Sequence, residues 1–169
     1  MPVQQYKINT PDALPGQLYG LQQTRADIQT AFVEDADGIG FGVACKVGVG
    51  PRGVKLGGAA HVAGISVRQI DREPLNRPSN GTIVFKKGEA LPLLSDGRIN
   101  VRVAKAGTMK RGEPVFVDAA TGEFGATGTL KCTNVVWGLS GTVAMGDVVH
   151  VVITNADVAA PAAPLSAEK

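Results

Sequence analysis

Apolar residues recur at every second position along much of this chain, in short runs closed off by glycine, proline, asparagine or aspartate. Successive side chains of an extended backbone point to opposite faces, so period two predicts strands with one buried face. On that basis strands are expected over residues 41–49, 61–70, 82–86, 98–105, 114–118, 129–137 and 148–154. In 41–49 the alternation places Phe41, Val43, Cys45, Val47 and Val49 on one face. Residues 25–34 fit two periods: Ile28, Thr30 and Phe32 alternate as in a strand, whereas Ala26, Ile28, Ala31 and Phe32 could line a short helix. The β-branched content of the run favours the strand.

One phrase occurs three times in the second half: Lys87-Gly88-Glu89-Ala90-Leu91-Pro92-Leu93, Arg111-Gly112-Glu113-Pro114-Val115-Phe116-Val117 and Met145-Gly146-Asp147-Val148-Val149-His150-Val151. Each copy is a glycine, a carboxylate and then alternating apolar positions. A glycine takes the positive φ of a tight turn without steric cost, so each copy reads as a turn that launches a strand. Repeated glycine turns between short strands are what an antiparallel β protein requires, and the expected class is all-β: a jelly-roll or barrel-like antiparallel domain.

The ends differ from the middle. Pro2, Pro11 and Pro15 make residues 1–14 an extended arm, and 156–169 form an Ala/Pro-rich tail that cannot build a core, leaving 15–155 as the single β domain. The segment 71–81, with Pro74, Pro78 and Asn80-Gly81, reads as a long polar loop. Gly48-Val49-Gly50-Pro51-Arg52-Gly53 spells G-x-G-x-x-G, but no helical run follows to bring a helix N-terminus to a phosphate, so a hairpin loop is expected.

Composition agrees with this picture: 22 glycines, 19% charged residues and 5% aromatics in 169 residues. No apolar run is long enough to span a bilayer, and the N-terminus lacks the layout of a signal peptide. Cys45 and Cys132 match no metal spacing and are expected as two buried thiols. The net charge of +2 is unevenly spread, with ten basic against four acidic residues over 68–111 and two against six over 112–169. Phe85 is the only aromatic in the basic stretch, so complementarity with a subunit or an acidic protein surface explains it better than nucleic-acid binding.

Catalytic patterns are missing from the sequence. His61 and His150, the only histidines, sit among apolar neighbours in expected strands, as hydrogen-bonded structural histidines do. Ser66, Ser95 and Ser140 lack nucleophile-elbow flanks, and Asp35, Asp37, Asp118 and Glu123 fall at turns, where carboxylates cap backbone amides. Trp137 reads as core, and Phe124 as packing back across the Thr121-Gly122 turn. No metal or cofactor site and no enzyme activity is expected.

Taken in order, Pro15-Gly16-Gln17-Leu18, Ile39-Gly40-Phe41-Gly42-Val43-Ala44 and Ala63-Gly64-Ile65-Ser66-Val67 resemble the structural cement (decoration) proteins of tailed-bacteriophage heads. Ile99-Asn100-Val101-Arg102-Val103 and the second and third copies of the repeated phrase continue the likeness, which spans about residues 15–154. The sequence departs from the family pattern at Tyr19-Gly20 and in the longer loop 71–81. The resemblance implies a non-enzymatic virion protein on the outer capsid surface, present in the host cytoplasm during assembly. Its implied partners are the major capsid protein and itself, as a homodimer in preference to a homotrimer, with neither nucleic acid nor membrane. Contacts are expected from Tyr6, Leu18 and Tyr19 of the arm, Arg72 and Arg77 of the long loop, and Ala156, Pro161 and Pro164 of the tail. The alternative is a carbohydrate- or receptor-binding β-sandwich, which needs exposed aromatic platforms from only eight aromatics. A nucleotide hydrolase on a trimeric jelly roll would need clustered carboxylates and an Arg/Ser phosphate loop, which the sequence does not display.

Overall fold

The computed structural model describes residues 14–20, 26–69 and 84–155. The elements are β1 Asp27–Val33, β2 Ala44–Val47, β3 Gly53–Leu56, β4 Gly64–Ser66, β5 Ala90–Lys105, β6 Gly107–Met109, β7 Pro114–Val117, β8 Phe124–Gly125, β9 Lys131–Trp137, β10 Gly141–Val143 and β11 Val148–Ile153. No helix occurs among the described residues. The sheet order is β1-β3-β2-β4-β5-β11-β9-β7-β8, with further pairings of β1 to β5 and of β5 to β8. Those two pairings close the sheet twice. β1, β3, β2 and β4 return to the first half of β5 as a small ring, and β11, β9, β7 and β8 return to its second half as a larger one. Neighbours are antiparallel except for the parallel pairs β1–β3 and β5–β8. Of the two expected architectures, this is the barrel. Closure leaves neither ring with an unpaired edge, which answers the aggregation hazard of open sheets.

Each ring has its own core. Ala31, Val33, Ile39, Cys45, Val54, Phe85, Leu91 and Leu93 fill the small one. The large one is built on Leu94, Ile99, Val101, Val103, Val115, Phe124, Val135, Trp137, Val151 and Ile153 among others. β5 serves both because of one extra residue. Asp27 pairs with Asp96 but Ile28 with Leu94, so Ser95 is bulged out of register. Before the bulge the odd residues Leu91 and Leu93 enter the small core and the even Leu94 the large one; after it the odd residues Ile99, Val101 and Val103 enter the large core. A one-residue insertion swaps the faces of a strand. The strand therefore keeps its odd-numbered apolar pattern while changing barrels. The Ser95 hydroxyl, 6% exposed, donates to the Asp27 carboxylate (2.7 Å) and carbonyl (3.1 Å), which satisfies the bulge.

The repeated phrase folds three times into one turn. The carbonyls of Lys86, Lys110 and Ala144 accept from the amides of Glu89, Glu113 and Asp147 at 3.0, 3.0 and 3.3 Å. Gly88, Gly112 and Gly146 hold φ of 82, 84 and 95° at the third position, the type II arrangement. In each copy the glycine amide reaches a neighbouring strand, at the carbonyl of Val33, Trp137 or Val103. β5, β7 and β11 start directly after these turns.

Several expected strands are shorter than the alternation suggested. The 41–49 run yields only Ala44–Val47, because Phe41-Gly42 is a turn. The single face proposed there holds only in its first half: Phe41, Val43 and Cys45 pack in the small core, with Ala44 between them buried in the large one, while Val47 and Val49 are 73% and 88% exposed. Gly64–Ser66 replaces 61–70, and all three of its residues are buried because this strand lies between the cores. His61 lies outside any strand and is exposed. Among the described residues of 82–86, Phe85 pairs, in an isolated bridge to Ile39. The predicted strand over 25–34 stands as β1, and G-x-G-x-x-G is the β2–β3 hairpin loop. β6, β8 and β10, of two or three residues, are too short to show a period.

Candidate interaction surface

Residues 14–20 lie along the barrel junction. The Gly16 amide donates to the Asn100 carbonyl (2.8 Å), the Asn100 amide to the Gln17 carbonyl (2.9 Å) and the Tyr19 amide to the Arg98 carbonyl (3.1 Å). The buried Asn100 side chain adds a bond from Nδ2 to the Gln17 carbonyl (3.0 Å), and Leu18 bridges Ile99 while packing against the large core. The root of the N-terminal segment is thus held as an extra strand-like rung on β5.

The phrases that carry the family resemblance meet here. The Gly42 amide donates to the Ser66 carbonyl (2.9 Å) and the Arg68 amide to the Gly16 carbonyl (2.8 Å). Ser66 Oγ accepts from the Val43 amide (3.1 Å) and donates to the Gly40 carbonyl (2.7 Å). A Cβ on Gly16 would lie 2.9 Å from the Gly42 amide nitrogen and 3.0 Å from that of Arg68, so backbone sits directly against backbone. Ser66, part of the Ala63–Val67 phrase, is a fully buried tie at this crossing.

Tyr19 is 41% exposed and stacks on His150, with ring centroids 3.8 Å apart and planes 13° from parallel. Beneath the imidazole lies Gly138, where any Cβ would collide with the ring. His150 is therefore clamped between Tyr19 and the backbone after β9. Burial, then the nearby Arg98 and, to a smaller extent, Arg111 push its pKa down, against a bond involving the Gly138 backbone. The ring is held neutral. Nothing in the spacing of Tyr19 and His150 announced the pair, since they are brought together by β11 lying beside β5.

Of the expected contact residues the structure therefore joins Leu18 and Tyr19 on one edge. Tyr6, Arg72, Arg77, Ala156, Pro161 and Pro164 lie outside the described residues. The carboxylates behave as capping groups: Asp118 accepts from the amides of Ala120 and Thr121 at 2.9 Å, and Asp35 from that of Leu56. Those amide bonds hold Asp118 below the usual carboxylate range. Cys45 and Cys132 are free and buried, and burial, with Asp35 nearby, pushes the Cys45 thiol up to about 12. Among the described residues no three His, Cys, Asp or Glu are grouped to hold a metal, and no helix is long and apolar enough to cross a membrane. Phe85, Phe124 and Trp137 are core, so they supply no aromatic platform for a sugar.

A second exposed feature escaped the sequence reading. Glu34, following β1, reaches into the G-x-G-x-x-G loop and accepts from the amides of Val49 (2.9 Å) and Gly50 (2.7 Å). A Cβ on Gly48 would lie 2.6 Å from the Glu34 carboxyl carbon, and one on Gly53 would overlap the carboxylate. The glycines that mimic a phosphate loop make room for an internal anion. The amide bonds, reinforced by Lys55 and Lys87, hold Glu34 below its usual range.

A doubly closed β-barrel with a strand-like N-terminal rung, presenting turns and loops, defines a structural scaffold. The sequence matches the family described as Structural cement protein (E217 gp24/Pam3 gp6) over residues 2–162, and the chain belongs to this phage cement family. Among solved structures it is similar to a chain of the capsid of Myoviridae phage XM1, with TM-score 0.62 and 17% identity, covering 89% of this chain and 95% of that one. No curated protein matches the sequence. The protein is a capsid-associated structural protein of a phage.

Proposed function

We propose that this protein binds the outside of the phage head and bridges neighbouring major capsid subunits, stabilising the shell against the pressure of packaged DNA. The observation that carries this reading is the clamped root at Leu18 and Tyr19, which anchors the N-terminal segment to a rigid double barrel. A scaffold with an anchored N-terminal segment can engage several subunits at once, and multivalency multiplies weak contacts. In this reading Tyr6, Leu18, Tyr19, Arg72, Arg77, Ala156, Pro161 and Pro164 belong to segments that contact the shell or a second copy. The arm 1–14 and the tail 156–169 serve as attachments to the β domain 15–155. The protein acts as a homo-oligomer, a dimer in preference to a trimer, and catalyses no reaction.

Co-sedimentation with phage heads stripped of decoration tests the proposal. Saturable binding at a fixed ratio to the major capsid protein is expected, with lower affinity after deletion of 1–12 or 156–169. A folded protein that never pellets with heads would overturn it, and undiminished binding by both deletions would remove the arms from the account.

A further inference from the structure

The end of the small barrel at the β2–β3 hairpin combines three features that independent causes put in one place. The first is an apolar tip: Val49 is 88% exposed and Val47 73%, while Phe32, 44% exposed and paired with Gly53, lies on the other face of the sheet. Isolated exposed apolar residues are ordinary, so exposure alone carries nothing. The second is rigidity at a point where hairpin tips are normally mobile. Glu34 ties down the amides of Val49 and Gly50, and Gly48 further closes the loop with a bond to the Gly53 carbonyl (2.7 Å). The Phe32 amide meets the Arg52 carbonyl (2.8 Å). The third is charge. Lys46 and Lys55 face each other across β2–β3, Arg52 is exposed in the loop, and Lys86 and Lys87 are exposed in the adjoining turn, whose Gly88 bonds the Val33 carbonyl. The carboxylates at this end are turned onto backbone instead: Glu34 to the hairpin, Asp35 to the Leu56 amide and Glu89 to the Lys86 amide. Glu34 also pairs with Lys55 (3.9 Å), and Lys46, Arg52, Lys55, Lys86 and Lys87 outnumber these three acids, so this end carries a net positive charge.

We propose that this hairpin is a docking knob for a protein surface of complementary chemistry, an aliphatic cleft rimmed by carboxylates on a capsid subunit. The inference rests on the capsid-binding function proposed above. A knob already held in its bound shape loses little conformational freedom on docking, and its cation ring favours an acidic rim in rate and register. A membrane is the poorer fit, since interfacial anchors are built from Trp, Tyr and long amphipathic faces, and this tip is two valines on a fixed turn.

Val49→Asp and the double charge reversal Arg52→Glu with Lys87→Glu test the knob on heads stripped of decoration. All three side chains are exposed, so thermal unfolding should change little. Each variant should bind heads about tenfold more weakly or worse, as loss of a central anchor or of a steering ring does, and wild-type binding should weaken with added salt. Folded variants that bind like wild type would overturn the knob while leaving the proposed function intact. Failure of wild type itself to bind heads would overturn both. Vesicles of phosphatidylcholine and phosphatidylserine provide the remaining arm: pelleting of wild type that Val49→Asp abolishes would assign the hairpin to lipid and overturn the protein cleft.

Discussion

At the scale of single residues, glycine does two separable things in this chain. Gly146 occupies φ 95° with open space where a Cβ would stand, so its requirement is conformational only. Gly146→Ala should therefore destabilise by about 1–2 kcal/mol, the cost of an L-residue in left-handed backbone. Chemical denaturation measures this, and an unchanged midpoint would count against the type II geometry. Gly53 takes ordinary φ but lies under the Glu34 carboxylate. Gly53→Ala should cost more than Gly146→Ala, because the added methyl must expel Glu34 from the Val49 and Gly50 amides. Histidine offers a pH test. The folded-state pKa of His150 lies below its unfolded value, so across that interval the unfolded chain binds more protons. Stability contributed by the neutral ring is thus present above about pH 6.5 and lost as pH falls through the folded value. Melting temperature should drop on acidification from about pH 7 to 5, and His150→Phe, which keeps a ring against Tyr19, should reduce the drop. An equal drop in both proteins would place the titration elsewhere.

At the scale of elements, β5 is the member on which both barrels depend. Ser95→Ala removes a hydroxyl bonded to Asp27 but keeps the extra residue, and should cost about 1 kcal/mol. Deleting Ser95 is a different change. It returns Ile99, Val101 and Val103 to the face opposite the large core, so no cooperatively folded protein should be recovered. Near-ultraviolet circular dichroism, which reports fixed packing around Trp137, distinguishes the two variants. A native-like spectrum from the deletion would refute the bulge as the device that lets one strand serve two cores.

At the scale of the whole molecule, the two rings are joined by contacts besides β5. The Ala44 amide bonds the Gly122 carbonyl (2.8 Å), the Gly58 amide the Asp118 carbonyl (2.8 Å), and Asn134 of β9 both accepts from and donates to the Val62 backbone. The barrels should open together. Cys45 belongs to the small core and Cys132 to the large one, so the thiols report on each separately. Neither should react with a thiol reagent in the native protein, and both should become reactive at one denaturant concentration. Reaction of Cys45 well before Cys132 would show the small barrel unfolding alone.

The all-β class, the glycine turns, the β2–β3 hairpin and most strand centres were legible because each depends on local chemistry: period two, positive φ, a carboxylate within reach of its own turn. That G-x-G-x-x-G turns between two strands was legible for the same reason. Strand ends were not, since Phe41 and Val49 alternate with their neighbours yet lie beyond the last ladder partner. Double closure was not, because the closing pairs β1–β5 and β5–β8 join segments distant in sequence. The stack of Tyr19 on His150 and the Glu34 clasp of the hairpin join residues 131 and 15 positions apart. The sequence by itself determined which segments extend and where they turn, since those choices are made within a few residues. Tertiary structure alone decided which strands meet, which core each face enters and which side chains share a surface, since those depend on closing a sheet through pairings that no local pattern encodes.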